Sequence, residues 1–340
     1  MASVLLEHPS SLEHDTGGHP EQAARISAIE QELSARGWLG YERVQSSEVD
    51  LADLTAVHPR EYVESIARIS EAGGGYLDPD TVASEGSYRA ALHAAGGAVE
   101  MVDMLLDGRA STAFSMHRPP GHHALPTRAM GFCLFNSIAV AARHALRVEG
   151  IERVLIFDWD VHHGNGTNDI FHAADEVLFI SIHESPLYPG TGPASDVGVG
   201  DGAGYTVNVP VSAGADDRLY RSLVDHVVVP LAQMYEPHLV LISAGFDAHR
   251  DDPLATCAVT EEGFAEMARS LQRCCTGLEV PLGAVLEGGY ALGALARSVA
   301  ATLEVLAEPV SAAPHGSDVG VAHAALAARE RLAEWWPGLA

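Results

Sequence analysis

Residues 154–167 read Val-Leu-Ile-Phe-Asp-Trp-Asp-Val-His-His-Gly-Asn-Gly-Thr. Four apolar residues, Val154 to Phe157, followed at once by acids, histidines and glycines have the form of a buried strand running into a polar loop. The same transition recurs along the chain. Ala113 to Met116 runs into His-Arg-Pro-Pro-Gly-His-His123, Leu239 to Ser243 into Ala-Gly-Phe-Asp247, and Leu282 to Leu286 into Glu-Gly-Gly-Tyr290. Val177 to Ile182 and Val4 to Leu6 are further strands of this kind, and Tyr205 to Val209 is strand-like. Between them, Tyr88 to Leu106, Ser137 to Arg147, Arg218 to Tyr235, Glu261 to Cys274 and Leu292 to Leu306 carry a helical period. Strand, polar loop and helix in repetition predict an α/β fold, a single domain with a mainly parallel central sheet flanked by helices. The carboxyl ends of parallel strands meet on one side of such a sheet, so these four loops should share one crevice.

The chain has 340 residues, of which 20 are basic and 46 acidic, for a formal charge of −26 and a pI near 4.9. Every side-chain cation other than histidine is arginine, since the sequence contains no lysine. With 47% hydrophobic and 19% charged residues the composition is that of a globular protein. The acidic balance, with no arginine run to offset it, argues against a nucleic-acid partner and favours cationic small molecules or basic peptides. Cys133, Cys257, Cys274 and Cys275 form no CxxC pair, and adjacent cysteines make a poor disulfide, so a reducing cytoplasm is expected. The start lacks a basic n-region and a long apolar stretch, and no window holds the roughly 18 apolar residues of a membrane span. A soluble, cytoplasmic, unexported protein is the expectation. From Ala307 the chain turns Pro-, Ser- and Gly-containing, and Val321 to Trp336 reads as a short amphipathic helix. Residues 1–306 would form the main domain, and 307–340 a linker and a helical tail packed on the body.

Asp158, Asp160 and His162 are spaced by two, which in extended chain places all three side chains on one face. Carboxylate and imidazole ligands suit a divalent ion such as Zn²⁺, with Fe²⁺ or Co²⁺ also compatible. An open catalytic site needs about three protein ligands, and Asp247, just past its strand, is the best candidate for the third. His122 and His123 follow Pro119, Pro120 and Gly121, which pin a non-helical turn, and neighbouring imidazoles can divide electrostatic and acid–base work. Tyr290 follows two glycines that let the backbone approach a crowded centre, where a phenol can donate to a forming oxyanion. The glycines between 190 and 204 miss the dinucleotide spacing, no G-x-S-x-G, Walker or HExxH motif exists, and Cys133 reads as a packed residue rather than a nucleophile.

Taken together, Arg118-Pro-Pro-Gly-His-His-Ala124, Gly131-Phe-Cys-Leu-Phe-Asn136, Asp158 to Thr167, Tyr188-Pro-Gly-Thr-Gly192, Ser243-Ala-Gly-Phe-Asp247 and Leu286-Glu-Gly-Gly-Tyr290 resemble the zinc-dependent histone deacetylase family. The resemblance is to its class II branch and the bacterial deacetylase-like amidohydrolases, which include acetylpolyamine amidohydrolases, and it runs from His14 to about Leu306. It implies the arginase/deacetylase fold and one Zn²⁺ per chain held by Asp160, His162 and Asp247, polarising an amide carbonyl and acidifying water. His123 would be general base and then acid, His122 its electrostatic partner backed by Asp158, and Tyr290 the oxyanion donor; the products would be acetate and a free amine. Phe132 and Tyr188 would wall a narrow tunnel, the Gly131 carbonyl would accept the substrate N–H, and Asp80 would be the rim aspartate that holds a peptide backbone. A structural K⁺ would use Asp158, Asp160, His162, Ser181 and Ile182.

The sequence departs from the family pattern in three ways. Asn165 stands where class I enzymes have an aspartate behind the second histidine, and Leu254 where the polyamine-selective animal branch has a gatekeeping glutamate. No long insertion precedes His117 such as narrows the entrance of bacterial acetylpolyamine enzymes. An acylated lysine peptide is therefore the leading substrate and an acetylated polyamine, favoured by the acidic charge, the alternative; a homo-oligomer is compatible with either. A catalytically silent acyl-lysine binder is a reading of another class, which the presence of Tyr290 opposes. An arginase-like binuclear manganese hydrolase would need a second acidic ligand loop.

Overall fold

Short, mainly apolar runs form strands that are covered on both faces, and five of the six such runs form the middle of the sheet. The structure, a computed structural model, describes residues 2–310, 317 and 319–339. In chain order the strands are β1 Ala2–Glu7, β2 Glu42–Gln45, β3 Gly74–Tyr76, β4 Val82–Ser84, β5 Ala110–Ser115, β6 Val154–Asp158, β7 Val177–Glu184, β8 Thr206–Val211, β9 Leu239–Ala244 and β10 Leu282–Leu286. β3 and β4 pair as an antiparallel hairpin, and the other eight make one sheet in the order β2-β1-β5-β10-β9-β6-β7-β8 with every neighbouring pair parallel. The expected α/β architecture with a parallel central sheet is thus present. Along β6, β7 and β9 every residue is buried, as a parallel sheet sandwiched between helices requires. Alternation divides the strands between two cores. Leu155, Phe157, Leu178, Ile180, Val240 and Ile242 lie on one face, and Val154, Ile156, Val177, Phe179, Leu239 and Leu241 on the other.

The helices Ser87–Leu106, Ser137–Ala145, Glu261–Leu278 and Leu292–Ala307 fall where the period places them, within a few residues at their ends. The expected single helix Arg218 to Tyr235 is instead a helix Asp217–Leu223, a π turn Val224–Val228 and a helix Val229–Tyr235. Pro230 is the physical reason, because its ring cannot sit against the carbonyl four residues back and it offers no N–H, and a widened turn relieves both. The C-terminal helix is shorter than expected, His323–Leu332. Arg331 donates to the Asn208 carbonyl and Trp336 Nε1 to that of Gly204, so this segment covers β8, the strand at the sheet's edge. Within the expected linker, residues 311–316 and 318 lie outside the described residues.

Parallel geometry sends the segments after β5, β6, β7, β9 and β10 to one side, and these are five consecutive strands of the sheet. Asn136 secures the first of them to the body. Its Oδ1 accepts the Ala139 N–H and caps the helix Ser137–Ala145, while its Nδ2 donates to the carbonyl of Ala124 at 3.3 Å and to Thr167 Oγ1 at 3.1 Å. Replacing Asn136 with alanine removes a cap and strands a buried carbonyl, and is expected to lower the unfolding free energy by about 2–4 kcal/mol. Urea unfolding reads this out; an unchanged midpoint would contradict the role given to the side chain.

Candidate active site

Past Asp158, the last residue of β6, the chain does not continue extended. Asp158 Oδ1 accepts the N–H of Asp160 at 3.1 Å and Asp160 Oδ1 that of His162 at 2.9 Å, turns that aspartate side chains impose on the backbone two residues ahead. The spacing of two therefore does not run along an extended strand past Asp158 as the sequence suggested. Asp158 turns to His122, while Asp160 and His162 meet Asp247 from the loop after β9, the neighbouring strand. His162 Nδ1 lies 3.2 Å from Asp160 Oδ1 and 3.0 Å from Asp247 Oδ2, and one ligand atom from each residue lies within 4.8 Å of the others. This is the one group of three or more His, Cys, Asp or Glu side chains so arranged among the described residues.

The chemistry of the donor set and its surroundings fit a divalent ion. Both carboxylates are 0% exposed. Against the downward push of burial, Asp247 and Asp160 raise the His162 imidazole to about 10, a sign that the pocket favours positive charge. Close packing leaves no room for side chains beside the ligands: a Cβ on Gly245 would lie 2.0 Å from Asp160 Oδ2, and one on Gly288 2.2 Å from Asp247 Oδ2. The remaining carboxylate oxygens are oriented by N–H donors, Val161 to Asp247 Oδ1 at 2.9 Å and Gly288 to Asp160 Oδ2 at 2.8 Å.

His122 and His123 are adjacent in sequence, their rings 4.0 Å apart, yet their environments differ. His122 Nδ1 donates to Asp158 Oδ2 at 3.0 Å. Burial opposes its charge, but Asp160, Asp158 and Glu287 outweigh that and hold its pKa well above the usual range. His123 Nδ1 donates to Asn165 Oδ1 at 2.7 Å, which leaves Nε2 as its basic atom. Burial, with the neighbouring His122 and His162, holds His123 well below the usual range. The pair so divides into one charged and one neutral imidazole at neutral pH, the separation that acid–base work needs.

A cavity of about 190 Å³ opens beside them, lined by Asp80, His123, Gly131, Phe132, His162, Leu187, Tyr188, Leu254 and Tyr290. The rings of Phe132 and Tyr290 meet edge to face at 5.6 Å, and those of His123 and Tyr188 at 5.2 Å. All five residues expected to contact substrate, Gly131, Phe132, Tyr188, Asp80 and Leu254, are on this wall. Gly131 has a φ of +55° and a Cβ there would lie 2.3 Å from His123 Cδ2, so only glycine brings its backbone this close to the base. Asp80 sits at the half-buried mouth, on a turn built by Asp78. Ser181 and Ile182 are in β7 behind the site, Ser181 opposite Asp158 in the ladder and bonded to His183 Nδ1 at 2.9 Å. A larger cavity of about 410 Å³ lies at the other ends of the strands, at Thr112 and Leu282, and none of these residues lines it.

The structure adds residues that the sequence reading gave no role. Arg25, from the helix Ala24–Ala35, stands 5.1 Å from the centre of the Tyr290 ring and donates to the carbonyls of Glu287 and Gly289. Glu21 binds Arg25 and takes both arms of Arg118, all of them buried. Glu287 Oε2 accepts the N–H groups of Gly121 at 2.6 Å and His122 at 3.1 Å; burial pushes this carboxyl up to about 7 although His122 and the amides pull the other way. Burial holds the Tyr290 phenol well above its usual pKa despite Arg25, so it remains a proton donor. Glu287 and Arg118 were visible as members of motifs, whereas Arg25 and Glu21 carried no local signal.

A sequence profile of the "Histone deacetylase domain" family matches residues 19–306. The chain is 38% identical over 331 residues to a "Probable deacetylase" of Archaeoglobus fulgidus, covering 92% of this chain and 91% of that one. It is 42% identical over 243 residues to a "Histone deacetylase-like amidohydrolase" of Pseudomonas aeruginosa, covering 70% and 63%. The solved "HDA15 HD domain" superposes with a TM-score of 0.91 at 38% identity, over 99% of this chain and 96% of that one. Fold and site define an enzyme of the class that hydrolyses amide bonds. More particularly, the chain belongs to the histone deacetylase family.

The amide of Asn165 orients His123 without adding charge. Asn165→Asp places a carboxylate there, favours the imidazolium and is expected to raise the His123 pKa. With the neutral imidazole as the expected base, the acidic limb of kcat/KM should move to higher pH than in the native protein. An unmoved limb would reject this account of His123.

Proposed function

We propose that the protein is a zinc-dependent amidohydrolase that removes acetyl or other acyl groups from lysine side chains of peptides or proteins, releasing acetate and the free amine. The observation that carries this reading is the narrow cavity on which His123, His162 and Tyr290 converge between the aromatic walls of Phe132 and Tyr188. Flat apolar faces fit a slim methylene chain and exclude wider groups. A Zn²⁺ ion held by Asp160, His162 and Asp247 would supply Lewis acidity to the amide carbonyl and acidify water. The other roles belong to this chain. The Gly131 carbonyl accepts the amide N–H, Tyr290 donates to the carbonyl oxygen as its charge grows, and His122 stays charged against Asp158. His123 Nε2 takes the proton of the attacking water and returns it to the nitrogen as the C–N bond breaks, so that acetate and amine leave with protons balanced.

The acidic formal charge of −26 favours acetylated polyamines as a second substrate class. Leu254 on the wall, with no carboxylate to grip a cationic tail, favours the peptide. We further assign residues 1–306 to the catalytic domain and 307–340 to a linker and covering tail, and a K⁺ ion to Asp158, Asp160, His162, Ser181 and Ile182. The four cysteines are unpaired and buried, which accords with a reducing cytoplasm. Among the described residues no helix is long and apolar enough to cross a membrane.

Turnover of acetyl-lysine peptides, acetylputrescine and acetylspermidine, with and without a chelator, tests the reading. The peptide is expected to give the highest kcat/KM, chelation to abolish turnover and added Zn²⁺ to restore it. Tyr290→Phe is expected to cost about 10²–10³ in kcat. Turnover indifferent to chelation would overturn the metal-dependent mechanism, and a preference for the polyamines would install the second class.

A further inference from the structure

Asp252 is 7% exposed and does not line the cavity, yet it joins two of the segments that do. Its Oδ2 accepts the backbone N–H of Tyr290 at 2.6 Å and that of Ala291 at 3.2 Å. Its other oxygen, Oδ1, accepts the N–H of Leu254 at 3.0 Å. Tyr290 and Leu254, at opposite ends of this bridge, both face the substrate cavity.

The segment from Glu287 to Ala291 has no regular structure of its own, and Gly288 and Gly289, the latter at a φ of +121°, leave it conformationally free. Its setting is therefore imposed from outside. The N–H groups of Glu287 and Gly288 are taken by the Ala244 carbonyl and by Asp160, and the carbonyls of Glu287 and Gly289 by Arg25. The N–H groups of Tyr290 and Ala291 are taken by Asp252, and Ala291, at the start of the helix Leu292–Ala307, has no side chain that could cap it. The ring itself leans on Phe132 and lies beside Arg25, contacts of the side chain and not of the Tyr290 N–H, which Asp252 holds.

We propose that Asp252 is a positioning residue, whose carboxylate sets the reach of the Tyr290 phenol and couples it to the cavity rim at Leu254. The inference rests on Tyr290 being the oxyanion donor proposed above. Charge-assisted bonds from a carboxylate are the strong kind, and a group displaced by about 1 Å can lose about 10²-fold in rate. Two oxygens facing donors on two different loops also make the acid irreplaceable by its amide, which has one acceptor oxygen and would turn its NH₂ toward an N–H.

The test is a cycle of steady-state kinetics on an acetyl-lysine peptide with Asp252→Asn, Asp252→Ala, Tyr290→Phe and the two double variants, each checked for folding by circular dichroism. Asp252→Ala is expected to lower kcat by about 10–100-fold with KM changed by less than about threefold, and Asp252→Asn to fall between it and the parent. In the Tyr290→Phe background either change should cost less than about threefold, since the phenol it places is gone. Equal losses with and without the hydroxyl, or an unaltered kcat in Asp252→Ala, would overturn the positioning role while leaving Tyr290 in place. Full turnover by Tyr290→Phe alone would instead remove the oxyanion reading and this inference with it. Should Asp252→Ala not fold, Asp252→Asn decides: a loss of kcat present with the Tyr290 hydroxyl and absent without it supports the role, and an unaltered kcat or equal losses overturn it.

Discussion

Two carboxylates, Asp160 and Asp247, are held without solvent exposure against a single imidazole, and most of the surrounding structure serves that arrangement. A buried carboxylate is unstable unless it is hydrogen-bonded and its charge is met. The first condition is satisfied by backbone amides: Val161 and His162 on the loop after β6, and Gly288 on the loop after β10. The second invites a cation. Convergence follows from the sheet, because β6 and β9 are parallel neighbours in a register that sets Asp158 beside Ser243, and each loop then turns inward over the same edge. The glycines at 245 and 288 are needed because any side chain there would occupy the carboxylates' own space.

The central strands could be read from sequence because parallel strands buried on both faces are continuous apolar runs, and β6, β7, β9 and β10 are such runs. Polar elements were not legible. β2, Glu-Arg-Val-Gln at the sheet's other edge, is mostly exposed and lacks an apolar signature, and the hairpin of β3 and β4 is three residues a side and rich in glycine. The spatial order was not legible either, since β10 inserts between β5 and β9 through contacts remote in the chain. For the site, ligand chemistry and motif spacing pointed to the residues gathered around the cavity. The supporting charges escaped because their signal is three-dimensional: Arg25 reaches Gly289 across 264 residues and Arg118 reaches Glu21 across 97.

Those supports matter because a glycine-rich segment cannot hold a phenol in place by itself. Residues 287–291 are fixed by Arg25 from a helix near the N-terminus, by Asp160 from the loop after β6, and by Asp252 from the loop after β9. The segment fixes others in turn, as Glu287 bonds the amides of Gly121 and His122. Arg25 and Arg118 share the single carboxylate of Glu21, so the cation beside Tyr290 is partly compensated within the core. Removing one member of such a buried set leaves an uncompensated charge, a loss of about 3–5 kcal/mol. The network is thus one of mutual constraint rather than a set of separate contacts.

The adjacent histidines show how the same side chain is given two properties by its second partner. His122 is met by the carboxylate of Asp158, with Glu287 also near, and is held charged; His123 is met by the amide of Asn165 and is held neutral. Because like charges 4.0 Å apart oppose one another, the protonation of His122 is itself a cause of the depressed pKa of His123. His123 is therefore tuned first by its own burial and then by its neighbour, and the pair acts as a single electrostatic unit.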